Sequence, residues 1–398
     1  MTARANVKEV MKEYLLDLDQ AAQDGRRKVA WCTSVGPAEI LRAAGYEVFF
    51  PENHGALLGA TRMSMDTIPV ANAAGYSPDI CSYLTSDVGA WMKGITPLTQ
   101  AYGIKSVPKP DLLVYNTNQC KDVMHWFEFY ARELKVPIYG VHSPNHLPEV
   151  TAAHEDAVVA QLKGLIALTE QLSGKRFDEE AFKRSLALSK EATDLWAEVL
   201  ATARARPSPL SFFDATIYMG PIVVLRGTEV ARDYYVAQLA DLKAKIAAGE
   251  AAVPGETKRL YWDGMPVWGR LRSLSDLFKR NHTAVVASTY CNSWIFSDFD
   301  AADPLRTMAR AYLKIFINRN DAYKERYIAD TVREFGIDGV VFLEAKTCPN
   351  NSNSQYNLPA RLRAKGVRSV VVNGDLCDLR CFSDEQAATV LEAFLETL

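Results

Sequence analysis

The chain has 398 residues and no G-x-x-x-x-G-K-[ST] segment, no G-x-G-x-x-G after an apolar run and no C-x-x-C pair. The first absence excludes a phosphate loop, and the stretch from Gly249 to Thr257 has the wrong spacing and no lysine. The second excludes the dinucleotide fingerprint, and the third speaks against a zinc ribbon or a thioredoxin-type redox site. ATP and nicotinamide are therefore not expected to bind by those means. No stretch approaches about 18 consecutive apolar residues, so no membrane span is expected. The first twenty residues lack the apolar run of a signal peptide, and a cytoplasmic protein is expected. The net charge of −3 gives no footprint for nucleic acid.

What is present is an ordinary globular composition, with 48% hydrophobic and 23% charged residues. The length calls for two or three domains. Segments 28–31 (KVAW), 47–50, 111–115 (DLLVY) and 137–141 (PIYGV) read as strands. Helices over about 37–44 and 121–133 lie between them, and Gly45 falls at a helix C′ position. Near-continuous apolar runs such as DLLVY are those of buried parallel strands. This alternation predicts a doubly wound α/β domain over 1–150. From 151 to 255 the apolar spacing is helical, as at Val158, Leu162, Leu165 and Leu168, with Asp178 as an N-cap, which predicts a helical connecting region. Strand segments 258–262, 283–288, 339–343 and 369–372 then predict a second α/β domain over 256–398. A helix from about 384 to 397 closes the chain. The two α/β parts share a design but show no clear sequence repeat.

Seven cysteines are present. In a reducing compartment they read as metal ligands, catalytic thiols or packing. Cys32, Cys120, Cys291, Cys348 and Cys377 each follow an apparent strand, where open α/β sheets bind ligands. Cys81 precedes an expected helix near Thr85 or Ser86. A lone cysteine is most often core. Cys81, Cys120 and Cys348 stand apart because their neighbours are polar. Three thiolates from distant loops would hold an iron–sulfur cluster with one iron open, although zinc accepts the same donors. The C-x₃-C pair Cys377/Cys381 is the competing donor set.

Phe50-Pro51-Glu52-Asn53-His54-Gly55, Gly75-Tyr76-Ser77-Pro78-Asp79-Ile80-Cys81-Ser82-Tyr83 and Asn116-Thr117-Asn118-Gln119-Cys120-Lys121-Asp122 resemble the benzoyl-CoA reductase / 2-hydroxyacyl-CoA dehydratase family. The likeness runs from about residue 26 to the last helix. It is strongest toward the smaller of the two cluster- and substrate-binding subunits of ATP-dependent benzoyl-CoA reductase. The resemblance implies two flavodoxin-like domains and a [4Fe–4S] cluster held by Cys81, Cys120 and Cys348, with Cys377 as the alternative third ligand. It implies an aromatic acyl-CoA substrate reduced to a cyclic diene, or else water elimination from a 2-hydroxyacyl-CoA through a ketyl radical. A metal-binding α/β scaffold without redox activity is the contrasting reading. The implied partners are a second, homologous cluster-bearing subunit and a separate ATPase.

A thioester carbonyl that gains charge needs a donor beside it. The residues expected to serve are Thr33, Ser34, Glu52 and His54, at strand ends of the first domain. His142 and His146 form a second choice. His125, beside Trp126 in an apparent helix, reads as packing.

Overall fold

Eight apolar segments form two sheets in the computed structural model, which describes residues 3–353 and 357–398. The first sheet contains β1 (Lys28–Cys32), β2 (Tyr46–Phe49), β3 (Leu112–Asn116) and β4 (Ile138–Val141), in the order β2-β1-β3-β4. The second contains β5 (Lys258–Asp263), β6 (Thr283–Ser288), β7 (Gly339–Ala345) and β8 (Ser369–Gly374), in the order β6-β5-β7-β8. All pairings within both are parallel. The chain is thus α/β with two flavodoxin-like sheets of the same strand order. The repeat absent from the sequence is present in the topology, because a parallel sheet asks for β-branched and apolar residues rather than a particular series of them.

Each sheet has its switch point where the order reverses, between β1 and β3 and between β5 and β7. β3 is buried along its whole length. Gly45, with φ +84°, stands just past the helix Ala38–Ala43 and donates its N–H to Arg42, as a helix stop requires.

Between the sheets run the long helices Ala152–Ser173, Glu179–Ala201 and Glu229–Ala248. Val158, Leu162 and Leu165 are fully buried, and Leu168 is partly buried. The Asp178 carboxylate accepts the Ala181 N–H at 2.8 Å, capping the second of these helices. One apolar cluster runs from the first sheet through these helices to the second.

The composition did not point to the first helix, Ala3–Asp24. It packs on the first sheet, where the Tyr14 hydroxyl donates to the Val48 carbonyl at 2.7 Å. Helices Pro51–Ala60, Ser64–Ala73 and Ser82–Lys93 fill the crossover from β2 to β3. Their backbones come close together. A Cβ on Gly89 would stand 2.0 Å from the Thr67 carbonyl oxygen, and one on Gly59 would stand 2.5 Å from Cys377 Sγ in the second half of the chain. No helix among the described residues is long and apolar enough to cross a membrane.

Candidate active site

The carboxyl ends of the two sheets face a common cavity of about 450 Å³. Ser34, Glu52, His54 and Gln119 line it from the first half, and Met265, Trp268, Tyr290, Trp294 and Asn351 from the second.

Three thiols gather beside it. Cys81 caps the helix Ser82–Lys93, Cys120 precedes the helix Asp122–Leu134, and Cys348 caps the short turn Pro349–Asn351. Burial pushes all three thiols up, Cys120 to about 12. Cys81 is raised further by Cys120 and Cys348, and Cys348 by Cys120, so the three lie within electrostatic reach of one another. Asp122 raises each of them, and Asp375 raises Cys348. Backbone N–H groups donate to each sulfur: that of Leu84 to Cys81, those of Val123 and Asp122 to Cys120, and that of Asn351 to Cys348. Donors of this kind at a helix start favour a thiolate.

The loops that carry the thiols are tied together. The Cys81 N–H donates to Asp122 Oδ2 at 3.0 Å, and Asn350 Nδ2 donates to the Gln119 carbonyl at 3.3 Å. The Ser82 N–H donates to Thr347 Oγ1 at 3.0 Å. Asp375, at the end of β8, accepts from the Ser82 hydroxyl, from the N–H and hydroxyl of Thr347, and from the N–H groups of Cys377 and Asp378.

Does this arrangement fit a metal group? Among the described residues no three His, Cys, Asp or Glu side chains converge as ligands of one ion do. An iron–sulfur cluster binds each thiolate at a different iron, so neighbouring but non-converging sulfurs suit it better than a single ion. The crowding of buried thiols with carboxylates also calls for positive charge in their midst, which a cluster's iron provides.

Cys377 lies elsewhere. Its thiol donates to the Gly55 carbonyl at 3.4 Å, packs on Gly59, and is raised by burial, Asp375 and Asp378 rather than by another cysteine. Cys381 is partly exposed beside Lys346. Cys32 and Cys291 are buried in the core.

The polar residues read from the sequence separate by their surroundings. The Ser34 N–H donates to Glu52 Oε2. Burial raises the Glu52 carboxyl to about 7, against the lowering effects of Ser34 and Arg226. Thr33 is buried, with its hydroxyl oxygen accepting the Asn116 N–H at 3.0 Å. His54 lines the cavity, but both ring nitrogens are engaged: Nδ1 lies 2.5 Å from Asp87 Oδ1 and Nε2 2.8 Å from Thr96 Oγ1. Asp87 also accepts from Trp126 and Tyr130, so this histidine belongs to a buried network. His142 and His146 are exposed. His125 is not packing: its side chain is 67% exposed beside Glu128, because the helix turns Trp126 inward in its place.

Several residues at the site escaped the sequence reading. Arg226 is wholly buried and donates to the Ser34 and Gly36 carbonyls and to Glu39, fixing the loop that presents Ser34. The Trp268 indole N–H donates to the Tyr83 hydroxyl, which is hydrogen bonded to Tyr290. Nothing in an arginine within VVLRG or a tyrosine within STYC distinguishes it locally. The partners that give each a role lie far away in sequence.

A family model described as 2-hydroxyglutaryl-CoA dehydratase, D-component, matches residues 33–398, and with the relatives below it puts the chain in a class of acyl-CoA dehydratase and reductase subunits. The chain belongs to this family. It is 28% identical to the (R)-2-hydroxyisocaproyl-CoA dehydratase alpha subunit of Clostridioides difficile, over 100% of this chain and 96% of that one. It is 28% identical to the alpha subunit of lactoyl-CoA dehydratase from Anaerotignum propionicum, over 100% and 98%. It is 30% identical to a benzoyl-CoA reductase subunit of Thauera aromatica, over 87% and 83%.

Proposed function

We propose that this chain is the cluster-bearing subunit of an enzyme that activates an acyl-CoA thioester, and that its reaction is loss of water from a 2-hydroxyacyl-CoA. The observation that carries this reading is the gathering of Cys81, Cys120 and Cys348 from both halves of the chain beside one apolar cavity. These three thiols are the ligands of a [4Fe–4S] cluster. When bound, the cluster supplies single electrons at low potential and one iron without a protein ligand.

The chain's own residues do the rest. The backbone N–H groups of Leu84, Val123 and Asn351 offset the charge on sulfur. Glu52, raised to about 7, both holds and releases a proton near neutral pH at the cavity wall. Ser34 orients it, and Arg226 holds Ser34 in place. His54, braced by Asp87 and Thr96, fixes the helix that carries Glu52, while Thr33 fixes the strand-end loop. Phe49, Phe50, Met265 and Trp294 exclude water.

Full-length likeness to two dehydratase alpha subunits supports dehydration over reduction. Arene reduction is the second reading, favoured by the 30% identity to a benzoyl-CoA reductase subunit and by the aromatic rings in the cavity wall. Both readings need a homologous partner subunit to close the cleft. If ATP drives the low-potential electron, the ATPase is a separate partner, because this chain has no phosphate loop. The test is anaerobic assay of the reconstituted complex with a 2-hydroxyacyl-CoA and with benzoyl-CoA. Formation of 2-enoyl-CoA without ring reduction is expected. A cyclic dienoyl-CoA from benzoyl-CoA, with no dehydration, establishes the second reading instead.

A further inference from the structure

We infer that the acyl group this cavity accepts carries no charge: it is alkyl, branched or aromatic, and not the residue of a dicarboxylic acid. The inference rests on the reading of the cavity as the acyl site. Size does not decide the matter, since about 450 Å³ is ample beside the roughly 30 Å³ that one water occupies in the liquid. Charge does. Lys8 is the one lysine or arginine among the described lining residues, and it is exposed, on the first helix. His54 has both nitrogens engaged. Glu52 is an acid and repels a second carboxylate once it ionises.

The chain shows elsewhere how it accommodates a buried carboxylate. Glu39 meets Arg226 at 3.0 Å with both side chains fully buried, Glu256 meets Arg259 at 2.7 Å, and the buried Asp375 and Asp87 are each ringed by several hydrogen-bond donors of the chain. No such arginine lines the cavity among the described residues. A terminal carboxylate brought inside loses its water and gains no cation, which is among the costliest burials a ligand can make. Most of the wall it would meet is apolar, as at Phe49, Leu57, Met265, Trp294, Ile315 and Ile317, and polar side chains in it, such as Asn53 and Asn351, carry no charge.

The test uses calorimetric binding of three thioesters to the anaerobically purified complex: benzoyl-CoA, 4-methylpentanoyl-CoA and glutaryl-CoA. The first two are expected to bind, and glutaryl-CoA at least about 100-fold more weakly, on the scale by which mismatched buried polar groups discriminate. A smaller gap overturns the inference. Failure of all three to bind overturns the acyl-site reading beneath it, which is a distinguishable result. Leu57→Arg places a cation on the partly exposed wall and is expected to narrow the gap about 10-fold or more. If that variant does not fold, Ile317→Arg tests the same point from the second half of the chain. A folded arginine variant with the wild-type gap contradicts charge as the cause.

Discussion

The Ser82 hydroxyl donates to Asp375 Oδ1 at 2.5 Å, 293 residues along the chain. Ser82 follows the first cysteine of the site, and Asp375 directly follows β8 of the second sheet. The same carboxylate receives Thr347, next to Cys348. One buried acid thereby holds two cysteine loops from opposite halves. Asp375→Ala leaves the Ser82 and Thr347 donors without an acceptor and should destabilise the chain by about 3 kcal/mol or more. Urea denaturation of the folded variant measures this. A loss under about 1 kcal/mol would mean that water replaces the carboxylate freely.

Glu52 makes stability depend on pH. Its carboxyl is raised by burial from 4.5 to about 7, so the folded chain holds this proton more tightly than the unfolded chain. The cost of ionising it is absent below 4.5, grows as pH rises to about 7 and is constant above, reaching about 3 kcal/mol. Glu52→Gln keeps an acceptor for Ser34 and removes that cost. In cluster-free protein the variant should gain stability over the parent at pH 8 but not at pH 5. Equal differences at both pH values would show that Glu52 ionises normally.

The Trp268 indole N–H donates to the Tyr83 hydroxyl, which is hydrogen bonded to Tyr290, and this pair sets the Tyr290 hydroxyl at the cavity wall. In Tyr290→Phe, kcat/KM is expected to fall about 10- to 100-fold with iron content unchanged. Steady-state kinetics on the complex decide this, and an unchanged kcat/KM removes Tyr290 from the chemistry.

Much of the fold could be read from the chain. DLLVY and GVVFL are buried runs, and the structure places them in the interior strands β3 and β7. The helix starts at Thr151 and Asp178 carry their own capping chemistry. The helix after Cys81 begins at Ser82 rather than near Thr85. Local sequence could not show that His54 is enclosed by Asp87, Thr96, Trp126 and Tyr130. That network comes from separate helices and the loop before Pro97, and a histidine at a strand end looks the same whether it is free or buried. The polar setting of the three cysteines was legible because each opens a helix or turn. Their convergence depends on contacts such as Ser82 to Asp375, which no spacing records.

The reading of this chain as a cluster-bearing subunit depends on which thiols hold iron. Iron and acid-labile sulfide should be measured on anaerobically purified protein carrying Cys120→Ala, Cys348→Ala or Cys377→Ala, with folding checked by circular dichroism. Cys120→Ala and Cys348→Ala are expected to lose the cluster while remaining folded, and Cys377→Ala to keep it. Full iron in Cys348→Ala together with loss in Cys377→Ala would contradict the proposed ligand set.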